Sequence, residues 1–595
     1  MKHRRRAGNT WVSLATVLLV ASLLAVPMSQ AGARQQDDAV DSMSETGVPA
    51  QMLIAQELHD GKIDYETSLV YRAYALFDDP RLPADLAGTG SFGEDNAFFG
   101  QVRYSWSQLS PDTQALLTPY IVRPTDSRSV FYESLANGKP RVVPELSGPV
   151  TYADGTCADN WISKDSARFP FKVWTHCTGD YDADLDEAIR ITDDFWGRLE
   201  AFMGPPILDT GSAEQGGDAR IDIYFVDDEA DRVPRRGGDY ISESALAHAA
   251  PDAPFNGRKS SGYIVARRPN IGEADLILTM AHEFFHVLQD AHNWQIAFGF
   301  KDSPYTEDFE TLSFSEFWFV ESTADWVISH LYRDTVDFET MFVGLHSVFI
   351  SGFQGFDVPV YYSPQQWSAR FIHVYGAYVY FLFLEQEVGP EAIAEMWREM
   401  EDVEPDDFDR TLQIINDILP FAENFREFTV RNLNLDLLPG DPISPSYKDF
   451  DPTFPEGFAP PFHVGDNPTS RIELARGRTD PYVFDDPIPS LSAHYFSFNT
   501  LSSITRVSFD FTGLTPNEAV DVDLITKIRG AGWERRKLDP GQPITFCREI
   551  ETDAISLFYL VVTNHDMEEA TTVRGSLTVT ADEEPCGPEE ATPQP

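Results

Sequence analysis

The sequence predicts an α+β domain with a mostly helical second half, followed by a C-terminal all-β sandwich domain. Two patterns predict this division. From about residue 150, strand-like stretches alternate with amphipathic helical stretches, and helical spacing dominates from about residue 270 to about residue 435. After a proline-rich stretch, the spacing of apolar residues changes to two, which is typical of short β-strands separated by turns. A chain of 595 residues is expected to hold two or three domains.

The first residues have the three parts of a secretory signal peptide. A basic start, KHRRR, precedes an apolar run, and Ala31-Gly32-Ala33 has the small-x-small pattern of a cleavage site. We therefore expect residues 1–33 to be removed near Ala33 and the protein to be secreted. A retained membrane anchor is the alternative, because the apolar run is about long enough to span a bilayer. No comparable run follows, so no stable membrane insertion is expected after cleavage.

The charge of the chain excludes two kinds of partner. The net charge is -50, and removal of residues 1–33 takes away four basic residues and no acidic ones, which makes it -54. Such a chain repels nucleic acid and anionic lipid surfaces. Apolar residues make up 42% of the sequence and aromatic residues 13%, which predicts packed cores rather than a disordered acidic polymer.

Residues 34–148 are predicted to form either a helical N-terminal extension or a removable pro-segment. Apolar residues recur at helical spacing around Leu53, Leu58, Leu69 and Tyr74. Both interpretations fit this pattern. A pro-segment that inhibits through a cysteine is excluded, because the first cysteine is Cys157.

The four cysteines form two separated groups, Cys157 with Cys177 and Cys547 with Cys586. An even number of cysteines in an exported protein predicts disulfides. Three pairings are possible, and the local pairing is favoured because each bridge then lies within its own domain. None of the four has metal-ligand spacing, so a thiolate zinc site is not expected.

Residues 149–437 carry the strands and helices of the α+β domain. Strands are predicted at 171–177, 220–228 and 261–269, and a long amphipathic helix at 182–204. Further helices are predicted at 274–291, 314–332, 368–389 and 390–401. Residues 438–468 are a proline-rich linker, and residues 469–595 form the β-sandwich domain, with strands at 494–499, 506–511, 520–525, 557–564 and 575–580.

Four aspartates at alternate positions near residue 180 suggest a calcium-binding loop. Such a loop requires Gly at its sixth position and Glu at its twelfth, where this chain has Leu185 and Ile191. A calcium ion is therefore unsupported, and the acids are better explained as the start of a helix, where the helix dipole favours negative charge. The four residues are Asp180, Asp182, Asp184 and Asp186.

The segment HEFFH, at residues 282–286, has the HExxH pattern of a catalytic zinc site. In a helix, residues four apart lie on one face, so His282 and His286 can bind one zinc ion. Glu283 then lies beside the metal, where it can act as a general base. Three protein ligands are required, so a third must come from elsewhere.

Two residues compete to be the third ligand. HEFFHVLQDAH fits the metzincin pattern HExxHxxGxxH in its three histidines, but Gln289 replaces the glycine at which the chain must turn. If the helix continues, His292 points about 120° away from His286, since each residue turns through about 100°. We therefore favour Glu321 over His292.

Glu321 lies in WFVESTADW, on a second predicted helix. A carboxylate is a good zinc ligand. Asp325, one turn further on, can accept the second N–H of a ligand histidine, and Ala324 is small enough to let the two helices approach. Glu316 is a competing acid, which we interpret as a residue of the helix start.

HEFFHVLQ followed by WFVESTADW resembles the gluzincin class of zinc peptidases, and more narrowly secreted bacterial metalloproteases with HEFFHxxQ and WFxExTAxW. The close match covers the two helices, with a looser similarity from about residue 165 to residue 435. The resemblance implies a zincin-like fold for 149–437 and one catalytic Zn²⁺. It further implies His282, His286 and Glu321 as ligands, Glu283 as general base and Asp325 as the partner of His282.

The resemblance also implies a residue that stabilises the oxyanion. The segment HVYGAYVY offers His373, Tyr375 and Tyr378, of which Tyr375 is most similar to the related pattern. The strand at 220–228 or the strand at 261–269 is expected to supply the edge along which an extended peptide pairs.

These observations together predict a secreted zinc metallopeptidase that hydrolyses polypeptide substrates, most simply as an endopeptidase. The alternative is a non-catalytic secreted or cell-surface binding protein whose β-sandwich carries the function. The sequence does not indicate side-chain preference or oligomeric state.

Overall fold

The computed structural model describes two compact units. Among the described residues, the first unit takes in 50–332 and 377–414, and the second takes in 415–582. The described residues are 50–77, 79–88, 96–131, 161–176, 181–212, 215–226, 247–254, 257–296, 317–332, 377–404, 407–432, 470–474, 482–484, 490–500, 506–510, 519–528, 532–538, 544–547, 555–567 and 575–582. The predicted signal peptide and the proline-rich linker lie outside them.

The first unit begins with helices, as the N-terminal pattern predicts. Side chains cap two of them: Asp64 accepts a hydrogen bond from the Thr67 amide before the second helix, and Ser110 accepts one from the Thr113 amide before the fourth. The four helices are α1 (Ala50–His59), α2 (Tyr65–Leu76), α3 (Asn96–Ser105) and α4 (Pro111–Ile121).

A mixed five-stranded sheet follows these helices. Its order is β1-β2-β3-β5-β4, in which β2, β3 and β5 are parallel while β1 and β4 pair antiparallel with their neighbours. Two prolines in β4, Pro251 and Pro254, suit a strand at the edge of a sheet, where a missing N–H is tolerated. The strands are β1 (Trp161–Asp165), β2 (Phe171–His176), β3 (Ile221–Val226), β4 (Ala247–Pro254) and β5 (Ser260–Arg267).

The two strands predicted to pair with an extended substrate do not lie at an edge of the sheet, so this prediction is wrong. We expected the strand at 220–228 or the strand at 261–269 to supply it, yet β3 lies between β2 and β5, and β5 lies between β3 and β4. All six residues of β3 are buried, which is typical of a central parallel strand covered on both faces. Among the described strands, the edges are β1 and β4.

The N-terminal helices cover one face of this sheet. Phe98, Phe99 and Val102 of α3 belong to one buried cluster with Tyr224 of β3 and Tyr263 of β5. The opposite face packs against α5 (Tyr181–Met203) and α6 (Ala274–Asn293). The sheet is therefore the middle of three layers, and part of the predicted extension supplies one of the outer two.

A buried charge cluster ties the N-terminal segment to the sheet. Arg123, two residues after α4, forms ion pairs with Asp209 at 2.7 Å, with Asp222 of β3 and with Asp252 of β4. Its guanidinium carbon also lies 4.9 Å from the ring centre of Tyr263. One cation thus faces three carboxylates, all of them buried.

The helical half of the first unit matches the predicted helices closely. The helix predicted at 182–204 is α5, the one at 274–291 is α6, and the one at 314–332 is α7 (Phe317–Tyr332). The segment 368–389 contributes α8 (Tyr378–Val388), and its residues 368–376 lie outside the described part. The remaining helices are α9 (Glu391–Glu399) and α10 (Phe408–Ile418), within which the division between the two units falls.

The second unit consists of a helix and two sheets. The helix α11 (Phe421–Arg431) contacts the larger sheet through Thr429, whose hydroxyl lies 2.7 Å from that of Thr563. Arg426 of α11 pairs with the buried Asp523 at 2.6 Å. Each strand predicted for this region is present. The strands are β6 (Ser470–Leu474), β7 (Tyr482–Phe484), β8 (Ser492–Thr500), β9 (Arg506–Asp510), β10 (Val520–Ile528), β11 (Gly532–Leu538), β12 (Ile544–Cys547), β13 (Ile555–Asn564) and β14 (Gly575–Asp582).

The two sheets of the second unit have the orders β11-β10-β13-β8-β6 and β12-β9-β14-β7. Two sheets are what a β-sandwich requires. Cys157, Cys177 and Cys586 lie outside the described residues, and Cys547 ends β12, so both disulfides stay predictions. Within the described part of the chain, no helix has the length and apolar character needed to cross a membrane.

Candidate metal centre

The helix α6 carries the HEFFH segment and packs closely on the sheet. The close approach depends on Gly262 of β5, where a Cβ atom would lie 3.1 Å from Oδ2 of Asp290 and 3.4 Å from a methyl group of Val287. Phe284 of α6 stacks on Trp196 of α5 with ring centres 4.2 Å apart. These contacts bury the middle of α6 and fix the direction of its side chains.

The helix α7 supplies the predicted carboxylates. Glu321 and Asp325 lie one turn apart and are buried, and Ala324 between them is fully buried. The helices α6 and α7 contact each other. The helix is unusually apolar around these two acids. Buried carboxylates in such surroundings need a positively charged partner.

Three ligand atoms converge on one point. Nε2 of His282 lies 3.0 Å from Nε2 of His286 and 3.2 Å from Oε2 of Glu321, and the remaining edge of this triangle is 3.6 Å. Among the described residues these three form the single group of His, Cys, Asp and Glu side chains that could hold a metal ion. The structure therefore brings the predicted ligands together.

The size of the triangle fits zinc. Tetrahedral zinc has bonds of about 2.0–2.1 Å to nitrogen and oxygen, which places its ligand atoms roughly 3.3 Å from one another. The observed edges, 3.0, 3.2 and 3.6 Å, lie on either side of that value. Two imidazoles and one carboxylate are also the ligand set of many catalytic zinc sites.

Unpartnered buried oxygens support the same conclusion. Within the described part of the chain, Oε1 of Glu321, Oε1 of Glu283 and Oδ2 of Asp325 are buried without a hydrogen-bond partner. A native protein rarely leaves such atoms unsatisfied. A cation and its water molecules would satisfy oxygens of this kind.

The ionisation of these groups reflects their mutual attraction. Burial alone would raise the pKa of Glu321, but the charge of His286 and hydrogen bonds from His282 and His286 lower it to about 2. Burial alone would lower the pKa of His282, but hydrogen bonds to Asp325 and Glu321 raise it well above its usual value. The carboxylates of this centre thus stabilise positive charge on its histidines.

Asp325 takes the place predicted for it. Its Oδ1 lies 2.9 Å from Nδ1 of His282, so the carboxylate accepts the Nδ1 proton and leaves Nε2 directed at the ligand triangle. Burial raises the pKa of Asp325 to about 6, against the opposing effect of His282.

Glu283 lies beside the triangle and contacts the edge strand. Its Oε2 accepts a hydrogen bond of 2.6 Å from the backbone amide of Ala249 in β4. Burial raises the pKa of Glu283, while the charges of His286 and His282 oppose the rise. No local pattern indicates this contact, because the strand AHAAPDAP has two prolines and few residues with β-propensity.

Gln289 also contacts the centre, a role that we did not predict. Its Oε1 lies 2.7 Å from Nδ1 of His286, and its Nε2 donates a hydrogen bond of 3.0 Å to the Val320 carbonyl of α7. The helical position of Gln289, three residues after His286, is the signal that could have indicated this contact.

His292 lies away from the ligand triangle. The helix α6 continues through Gln289 to Asn293, so the turn that a third histidine ligand requires is missing. Nδ1 of His292 lies 3.0 Å from Oε1 of Glu401, and its Nε2 lies 3.1 Å from the Met203 carbonyl. Both ring nitrogens are thus engaged at the end of the helix.

Several candidate residues lie outside the described part of the chain. These include Tyr375 and His373, so the residue that stabilises an oxyanion stays a prediction, and the competing acid Glu316. Tyr378, at the start of α8, is described and buried.

No protein-family model and no curated protein matches this sequence. The geometry of the centre is therefore the main support for a function.

Proposed function

We propose that this protein is a secreted zinc-dependent peptidase with a zincin-like catalytic domain. The observation that carries the proposal is the triangle of His282, His286 and Glu321 with the buried carboxylate of Glu283 beside it. Structural zinc sites in proteins have four protein ligands, whereas catalytic sites have three and keep one position open. Three ligands and an adjacent acid suit catalysis better than a purely structural ion.

The metal ion and Glu283 have different chemical roles in this proposal. When bound, Zn²⁺ would supply Lewis-acid chemistry, which makes a water molecule more acidic and polarises a carbonyl oxygen. Glu283 accepts a proton from the attacking water and later donates it to the leaving amine, so that one water is consumed for each peptide bond broken. The Ala249 amide holds one oxygen of Glu283, which leaves the other oxygen for this proton.

The edge strand β4 can orient an extended substrate. Because Glu283 is bound to β4 itself, a polypeptide that pairs with this edge in an extended conformation would pass the general base. A polypeptide substrate is therefore the class that this arrangement favours.

The proposal is tested by metal content and by one substitution. We expect close to one zinc ion per chain in the wild type, and cleavage of a peptide library that a chelator abolishes. Glu283→Gln is expected to bind zinc as the wild type does and to lower the rate of cleavage by at least about 100-fold, since it removes the proton acceptor. Glu273→Gln, an exposed acid at the start of the same helix, is the matched control and should leave the rate unchanged.

Two results would overturn the proposal. A wild-type chain that binds no zinc would favour the non-catalytic binding protein, in which the β-sandwich carries the function. Undiminished cleavage by Glu283→Gln would show that another residue or another site performs the reaction.

A further inference from the structure

We infer that Gln289 is a positioning residue that fixes the tautomer of His286, an inference that rests on the proposed zinc site. Gln289 lies on α6, three residues after His286, and is almost fully buried. Its side-chain amide lies between the ligand histidine and α7. Because an amide has a donor end and an acceptor end, its orientation decides which proton His286 carries.

Two groups on α7 fix the orientation of the Gln289 amide. The Val320 carbonyl can only accept a hydrogen bond, so the atom 3.0 Å from it must be the amide nitrogen. Thr323 leads to the same result, because its hydroxyl donates to the Phe319 carbonyl at 2.8 Å and so accepts from Gln289 at 3.0 Å. The amide oxygen of Gln289 therefore faces His286.

The tautomer of His286 follows from this orientation. An amide oxygen accepts hydrogen bonds, so Nδ1 of His286, 2.7 Å away, must carry the proton. In the neutral ring, Nε2 then keeps its lone pair, and Nε2 is the atom directed at Nε2 of His282 and at Glu321. The backbone of α7 thus selects the nitrogen of His286 that can bind a metal.

The two ligand histidines are held by different chemical groups. Asp325 accepts from Nδ1 of His282 at 2.9 Å and adds a negative charge to the centre, whereas Gln289 does the same for His286 without adding charge. Glu321 already supplies one negative charge as a ligand. The amide therefore orients the second histidine while limiting the number of buried carboxylates that must be neutralised.

A chain of hydrogen bonds extends this support to α9. Trp397 donates from Nε1 to the Thr323 hydroxyl at 3.3 Å, and that hydroxyl accepts from Gln289. The position of the amide thus depends on three helices, and we expect it to be rigid.

Two substitutions of similar length separate a positioning role from a packing role. Gln289→Met keeps the length and volume of the side chain and removes both ends of the amide. Gln289→Glu keeps an oxygen for Nδ1 of His286 in either protonation state, but introduces an acid into a buried place. If Gln289 orients His286, zinc affinity should fall more in Gln289→Met. If Gln289 only fills space, zinc affinity should fall more in Gln289→Glu.

The first measurement is zinc affinity by competition with a chelator. We expect Gln289→Met to bind zinc about 10–100-fold more weakly than the wild type, which is the usual effect of losing such a partner, and Gln289→Glu to stay closer to the wild type. Gln295→Met is the matched control, because that amide lies beyond α6 and bonds to the Gly257 carbonyl at 2.6 Å. It should leave zinc affinity unchanged. Equal affinities in the wild type and Gln289→Met, or the reverse order of the two variants, would overturn the inference.

The second measurement needs neither zinc nor cleavage. Nitrogen-15 NMR of histidine-labelled, metal-free protein, recorded at a pH high enough for the ring of His286 to be neutral, distinguishes the two neutral tautomers, and His286→Ala identifies the signal. We expect the Nδ1–H form in the wild type and a mixture or the other form in Gln289→Met. The Nε2–H form in the wild type would refute the inference even if zinc binds. A wild type that binds no zinc, or binds it without cleaving peptides, would refute the proposed function and leave the tautomer result to decide on Gln289.

Discussion

Replacement of Arg123 by methionine should destabilise the first unit strongly. Methionine keeps much of the apolar stem of the side chain and removes the guanidinium, which pairs with Asp209, Asp222 and Asp252. Arg123 is only 2% exposed, so water cannot take over these contacts. The substitution therefore leaves three buried carboxylates without their counter-charge.

The size of the effect follows from burial. Removal of one partner of a buried ion pair costs about 3–5 kcal/mol, because the other charge stays desolvated. We expect a loss in this range at neutral pH, with a smaller loss near pH 5, where Asp209, whose pKa burial raises to about 7, carries a proton and requires no cation. Arg128 is the matched control. It pairs with Asp126 at 2.6 Å on the surface, and Arg128→Met should cost less than about 1 kcal/mol.

The assay is unfolding by urea in the presence of a chelator, so that zinc binding does not contribute. Hydrogen-exchange mass spectrometry of peptides from α4, β3 and β4 then gives the free energy of unfolding of the first unit separately from the second. A loss for Arg123→Met as small as that for Arg128→Met would contradict this expectation. It would mean that a group other than Arg123 neutralises the three aspartates.

The charge cluster around Arg123 also bears on the role of the N-terminal segment. Arg123 and α3 belong to the region that could be a removable pro-segment or a permanent extension, whereas β3 and β5 belong to the predicted catalytic domain. Release of the segment would leave Asp222 without Arg123 and would uncover the apolar face around Tyr224 and Tyr263. Both effects favour a permanent extension.

Two further predictions concern pH and the choice of ligand. Burial raises the pKa of Asp209 from 3.8 to about 7, so the folded chain holds a proton there that the unfolded chain releases. The free energy of unfolding should therefore fall as pH rises from about 4 to 7. Asp209→Asn should remove part of this fall, as measured by urea unfolding at several pH values. An unchanged pH profile in Asp209→Asn would contradict this. Glu321→Ala should lose zinc, whereas His292→Ala should keep one zinc per chain and lose about 1–3 kcal/mol of stability, because it breaks buried hydrogen bonds. If zinc analysis shows that Glu321→Ala keeps zinc and His292→Ala loses it, His292 is the third ligand.

The grouping of the ligands could be predicted because it depends on local geometry. Helical periodicity places His282 and His286 on one face of α6, and the same rule places Glu321 and Asp325 on one face of α7. Chemistry then limits how these faces can meet, because buried carboxylates require a positive partner. The pairing of two helices whose ligands His286 and Glu321 lie 35 residues apart in the sequence was predictable to that extent. Tyr375, by contrast, was selected only by resemblance.

The edge strand could not be predicted in the same way. AHAAPDAP becomes β4 because its backbone pairs with β5, and tertiary contacts of this kind override weak β-propensity. The central position of β3, by contrast, was predictable. The run IDIYFV is apolar or aromatic at nearly every position, which indicates a strand covered on both faces rather than an edge. Its burial depends on the N-terminal helices, whose packing on the sheet no local pattern revealed.

Gln289 shows how one residue can exclude a ligand and support another. Without glycine at this position, α6 continues straight and carries His292 to Glu401 instead of to the metal centre. The same straight helix directs the Gln289 amide at the Val320 carbonyl, and the next residue in α7 is Glu321. The contact that orients His286 is therefore also a contact that seats the helix carrying the third ligand. A glycine at position 289 would remove the contact with His286 and the contact with Val320. We therefore expect a glutamine at this position to accompany a carboxylate ligand supplied by α7.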